Sequence, residues 1–158
     1  MTTKLAHQLT ANCKLLQKAV IIHNDKFLLL KRQSNAATRP NCWDLPGGNS
    51  EWPDQLTEFT RGLHRQDLVR EITEETGIVI DPEAVFQRDL VHFDTTFEPE
   101  KNIFGIICGW RQNLNGTKPE ITLSSEHTEF VWTTPDQLDQ YDFGYADFIP
   151  KMVRLAFQ

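Results

Sequence analysis

Residues 70–78 read Arg-Glu-Ile-Thr-Glu-Glu-Thr-Gly-Ile. Glu71, Glu74 and Glu75 put three carboxylates into five residues, just before a glycine. On a helix, acids at i and i+4 repel by roughly 0.2–0.5 kcal/mol, and acids near a helix C-terminus are also opposed by its dipole. At 100° per residue, with Glu71 at zero, Glu74 lies near about −60° and Glu75 near about +40°. The three acids thus share one arc of about 100°, while Leu68, Ile72 and Val69 define an apolar face centred over about 100° away. Arg70 falls beside Glu74 and can pair with it. Hard oxygen donors concentrated in this way suit Mg²⁺ or Mn²⁺. The plainer alternative is a solvated acidic helix face, which is what most E-x-x-E-E runs are.

The elements around the run must position it. Leu15 to His23 is rich in apolar and β-branched residues and reads as a strand; Asn24-Asp25 is turn chemistry, and Lys26 to Gln33 reads as the hairpin partner. Cys42 to Leu45 is a short extended piece leading into Pro46-Gly47-Gly48, a turn that permits close backbone approach. Asp54 to Thr76 reads as helix, with Asp54 after Pro53 as N-cap. Leu56, Phe59 and Leu63 would form one apolar face, Gly62 a point of interruption, and Gly77 the C′ residue. Further strands are expected at 78–80, 86–94, 103–111 and 129–133. Thr134-Pro135 starts a short helix to Gln140, and 145–157 forms a closing helix. Strands on both sides of a central helix, with more helix at the end, give an α/β sandwich with a mixed sheet.

A chain of 158 residues, 39% apolar and 24% charged, fits one soluble domain. We expect an N-terminal extension over 1–14 and a single domain over 15–158. The net charge of −6 argues against a nucleic-acid groove or an anionic membrane surface as partner. The longest apolar run, Ala19 to Ile22, is too short to span a bilayer, and the N-terminus lacks a secretory h-region. Cys13, Cys42 and Cys108 lack metal-site spacing and read as free thiols in a reducing cytoplasm.

Residues 70–78 match the second half of the Nudix box, REUxEExGU with U apolar, at every specified position. By average composition that pattern arises by chance in about one in 10⁵ chains of this length. The chain therefore resembles the Nudix hydrolase family. Trp43-Asp44-Leu45-Pro46-Gly47-Gly48 and Ser125-Glu126-His127 ahead of Trp132 extend the resemblance over roughly residues 17–157. One departure stands out: the full box is G-x5-E-x7-REUxEExGU, yet fifteen residues separate Asp54 from Arg70, an excess of eight. Asp54 is the first choice for the counterpart of the leading glutamate, with Glu51 and Glu58 as rivals.

The resemblance implies a Nudix-like α/β/α sandwich and Mg²⁺- or Mn²⁺-dependent hydrolysis of a nucleoside diphosphate linked to a further group. It implies metal ligation by Glu71, Glu74 and Glu75, with the Gly47 carbonyl and Glu126 as additional ligands. Arg70 would hold a box glutamate in place, and Arg32 would contact substrate phosphate. Glu71 is the first choice of general base and Glu126 the rival. Trp43, Trp110, Trp132 and Phe143 are open as base-stacking or core residues. His92 stands where ADP-ribose hydrolases tend to carry proline, and Phe93 where dinucleoside polyphosphate hydrolases carry tyrosine. A small nucleoside triphosphate or nucleotide sugar is left by elimination. The partner expected is a small-molecule nucleotide, with a homodimer open. Two alternatives are kept: a catalytically silent nucleotide-binding module, and a prenyl diphosphate isomerase using Cys42.

Overall fold

The computed structural model describes residues 12–51 and 57–158. β1 (Cys13–His23) and β2 (Lys26–Arg32) form an antiparallel hairpin. Its turn residues, Asn24 and Asp25, both have positive φ (47° and 61°), the conformation that matches the twist of the flanking strands. β1 pairs in parallel with β5 (Ile103–Asn113), which pairs antiparallel with β4 (Leu90–Glu98). β2 carries the two-residue β3 (Trp43–Asp44) and β6 (His127–Thr133), both antiparallel.

The hairpin strands pair with each other only near their turn, at Ile22–Phe27 and His23–Lys26. The segment that follows β3 bonds back to β1: Gln17 N donates to Gly48 O and Ala19 N to Pro46 O. This places the Pro46-Gly47-Gly48 turn directly on the backbone of β1.

Period-two alternation divides the apolar run of β1 between two cores. Val20 and Ile22 join Phe27, Leu29 and the inner face of α2 (Phe148–Ala156), namely Ile149, Met152, Val153 and Ala156. Ala19 and Ile21 join Leu28, Leu30 and the inner face of α1 (Leu63–Thr76), namely Leu68, Val69 and Ile72. A strand buried on both faces is what a near-continuous apolar run encodes. Helix, mixed sheet and helix thus form the α/β/α sandwich. No helix among the described residues is long and apolar enough to cross a membrane, and all three cysteines are free thiols.

Several boundaries differ from the sequence expectation. α1 begins at Leu63, because Gly62 takes φ +75°, a left-handed conformation that a right-handed helix cannot carry through. Phe59, expected on a buried helical face, is 86% exposed. Asp54 and Leu56 lie outside the described residues. Residues 78–80 form no strand; Ile78 packs inward while Val79 is exposed. β4 starts four residues late, after a 3₁₀ turn at Gln87–Asp89, and runs on to Glu98. The helix after Thr134 is a 3₁₀ segment, Pro135–Gln140, and α2 starts at Phe148. β1 takes in Cys13 and Lys14, paired with Phe104 and Gly105, so the sheet reaches into the expected extension.

Candidate active site

α1 ends at the foot of the Pro46-Gly47-Gly48 turn. Gly77 closes the helix at φ +75°, its N–H donating to Thr73 O, the αL cap that a glycine supplies at lowest cost. Gly47 sits at φ +126°, and a Cβ there would lie in contact with Gln17 O. Both conformation and space therefore require glycine at this position. A Cβ on Gly48 would lie 2.9 Å from Glu71 Oε2, so the absence of a side chain lets Glu71 press against the turn.

The box acids occupy three different environments. Glu75 is buried, and Gly47 N donates to its Oε2 at 2.8 Å. Burial pushes its pKa up to about 7, against the opposing pull of the Lys18 charge and the Gly47 N–H. Glu71 is half-buried, and burial also raises its pKa, while Arg70 opposes the shift. Glu74 is exposed and paired with Arg70 Nη1 at 2.8 Å. The helical wheel placed all three acids on one solvent-facing arc. The structure corrects this for Glu75, because the Gly47 turn covers that part of the arc.

Arg70 bonds all of its acidic neighbours. Nη2 donates to Asp67 Oδ1 at 2.8 Å and to Glu71 Oε1 at 2.7 Å, and Nη1 to Glu74. These bonds, led by that to Asp67, raise its pKa further above the ordinary range. Asp67 is itself buried, accepts from Glu51 N at 3.3 Å, and keeps its Oδ2 without a partner. It had no role in the sequence reading. Its signal was position alone: one turn before Glu71 and three residues before Arg70.

A cavity of about 630 Å³ opens beside the turn, lined by Glu71, Glu75, Gly47, Gly48, Glu51 and Glu126. The same lining carries Lys18, Arg32 and Arg39 around Asp44, with Tyr145 and Phe148. Glu74 and Arg70 stand outside the lining. Trp43, Trp110, Trp132 and Phe143 pack elsewhere: Trp43 lies edge-on to Tyr141, and Trp110 donates to Gln17 Oε1.

Asp44 is fully buried and accepts from Lys18 (3.1 Å), Arg32 (3.3 Å) and Arg39 (2.5 Å). Burial alone would raise its pKa, but Lys18 and Arg39 outweigh that and hold it below the usual carboxylate range. Arg32, expected from sequence, also donates to Thr38 O and Thr38 Oγ1. Lys18 and Arg39 were missed; the one hint was a lysine opening the buried run Ala19 to Ile22.

Glu126 is exposed on a turn fixed at both ends. Its N–H donates to Ser124 Oγ, and its carbonyl accepts from Gln33 N at 3.0 Å. His127, which had no partner in the sequence reading, is buried with Nδ1 3.4 Å from Ser124 Oγ. Burial, reinforced by Lys18, pushes its pKa down to about 4, so it is neutral near pH 7.

The donor set suits a hard divalent ion. Glu71, Glu75 and Glu126 offer carboxylate oxygens to one cavity, with no sulfur and no accessible imidazole among them. Among the described residues no three acid, histidine or cysteine side chains converge on a single point. Glu74 gives its Oε2 to Arg70 and stands outside the cavity lining.

The NUDIX domain profile matches residues 17–152. Over 76 residues the chain is 35% identical to the m7GpppN-mRNA hydrolase NUDT17 of Danio rerio, covering 48% of this chain and only 23% of that protein. Over 136 residues it is 29% identical to the CTP pyrophosphohydrolase of Escherichia coli (strain K12), covering 82% of each. The solution structure of the E. coli ORF135 protein superposes with a TM-score of 0.63 at 25% identity, over 92% of this chain and 89% of that one. The chain belongs to the NUDIX domain family. It is a Nudix hydrolase, of the class that acts on phosphoric anhydrides.

Proposed function

We propose that this protein hydrolyses a pyrophosphate bond in a nucleoside triphosphate or nucleotide sugar, with Mg²⁺ or Mn²⁺ as cofactor. The observation that carries this reading is a single cavity lined both by the box carboxylates Glu71 and Glu75 and by the cations Lys18, Arg32 and Arg39. A phosphate chain is anionic throughout, and its hydrolysis brings an electron-rich water to it, so the barrier is largely electrostatic. The relative named CTP pyrophosphohydrolase, aligned over 82% of this chain, favours the triphosphate over the sugar.

In this reading Glu71 and Glu75 hold the metal from the helix, and Glu126 and Glu74 complete the shell from the flanks. When bound, the ion neutralises phosphate oxygens and acidifies water. Arg70 and Asp67 fix Glu71, so the carboxylate meets its ligand already oriented. Arg32, anchored by Thr38 and Asp44, presents its guanidinium to a substrate phosphate. Glu71, with its raised pKa and its place beside the turn, takes the proton of the attacking water; Glu126 is the other candidate for that role.

The test is a panel of nucleoside triphosphates and nucleotide sugars, incubated with and without Mg²⁺ or Mn²⁺ and assayed for phosphate and pyrophosphate. Metal-dependent release from one class supports the reading. Tight nucleotide binding without turnover on any of them would leave a binding module instead.

A further inference from the structure

The Gly47 carbonyl, which the family resemblance assigns to a metal, already carries a cation. Lys18 Nζ donates to Gly47 O at 2.8 Å and to Leu45 O at 3.1 Å, and pairs with Asp44 Oδ2 at 3.1 Å. An ammonium has three protons, and these three acceptors use them all. The residue is 4% exposed, at a depth where an unpaired ammonium would be strongly disfavoured and a paired one is firmly held. Its charge also reaches Glu75, where it is the largest influence opposing the effect of burial.

Lys18 therefore does two things that a divalent ion at Gly47 would do: it occupies the carbonyl oxygen and offsets the Glu75 charge. An ion about 2.1 Å from that same oxygen would lie roughly 4 Å from the buried ammonium, and the two cations would repel strongly. We propose that Lys18 is a resident cation that takes one coordination place at this site. The divalent ion is then confined to the carboxylates of Glu71, Glu75 and Glu126, and the Gly47 carbonyl is not its ligand. This inference rests on the metal-dependent reading above.

The test is an electron paramagnetic resonance titration of nucleotide-free protein with Mn²⁺, comparing wild type, Lys18→Met and Lys18→Arg, with circular dichroism as a fold control. Lys18→Met should bind one further Mn²⁺ per chain, or the same number on the order of 10- to 100-fold more tightly. Lys18→Arg, which keeps the charge, should match wild type. Equal Mn²⁺ number and affinity in wild type and Lys18→Met would overturn the proposal and leave Lys18 a structural tether of the turn. If Lys18→Met does not fold, wild-type crystals soaked in Mn²⁺ decide. An ion about 2.1 Å from Gly47 O with Lys18 displaced overturns the proposal, and an ion elsewhere with Lys18 still on Gly47 O supports it. Turnover that survives complete chelation of divalent ions would instead strike at the metal-dependent reading, so the two failures are distinguishable.

Discussion

Acidic and cationic groups line the cavity as two sets, or walls, that are built in opposite ways. The acidic wall comes mainly from one helix: Glu71 and Glu75 lie one turn apart, and Arg70 in the same turn ties Glu71 to Asp67 and Glu74. The cationic wall comes from three separated pieces of chain, β1 through Lys18, β2 through Arg32 and the following loop through Arg39, gathered on Asp44 of β3. Loss of one member of the acidic wall leaves a helix that still packs through Leu68 and Ile72. Loss of Asp44 leaves three cations facing one another with their shared anion gone. The acidic wall should therefore break function first, and the cationic wall should break the fold first.

Asp44→Asn is the sharpest way to test that contrast. Removing one member of a buried ion cluster costs about 3–5 kcal/mol, and urea denaturation should show a loss of that size. A loss below about 1 kcal/mol would mean the cations do not depend on Asp44. For the acidic wall, Glu75→Gln should lower kcat/KM at least ~100-fold while circular dichroism stays that of wild type. The amide oxygen can still accept from Gly47 N, so an unfolded variant would place Glu75 with the structural wall instead.

The pH dependence of stability follows from the same residue. The folded pKa of Glu75 is raised to about 7 from 4.5, so between those values the folded state holds more proton than the unfolded state. Stability from this group is therefore present below about pH 4.5 and declines as pH rises towards 7, by of order 2 kcal/mol. Thermal melts in the absence of divalent ions should show Glu75→Gln gaining on wild type from pH 5 to pH 8; parallel curves would remove the buried charge from the account. The smallest effect is expected at Glu74, exposed and paired with Arg70 outside the cavity lining. Glu74→Gln should cost about tenfold in kcat/KM, and a loss equal to that of Glu75→Gln would show that Glu74 swings fully into the site during turnover.

The contrast between the walls also explains how far the sequence could be read. The acid run, its glycine stop and the Pro46-Gly47-Gly48 turn were legible because each is a local pattern: three residues on one helical arc, a C′ glycine, a side-chain-free bend. The hairpin at Asn24-Asp25 was legible for the same reason. The start of α1 was misplaced because the apolar spacing of Leu56, Phe59 and Leu63 imitates a helical face, while the backbone at Gly62 turns left-handed. The strand expected over 78–80 failed because β-branched residues need a partner strand, and there the chain only packs Ile78 inward.

By itself, the sequence determined the helix that carries the acids, the family to which the chain belongs and the opening hairpin, because each is written in spacings of a few residues. Tertiary structure alone decided that Glu75 is buried while Glu74 is exposed, that Asp67 braces Arg70, and that Lys18 rests on the Gly47 carbonyl. Those outcomes depend on which distant backbone covers a side chain, through pairings such as that of Gly48 with Gln17. Periodicity along one segment holds no information about the segment that will fold over it.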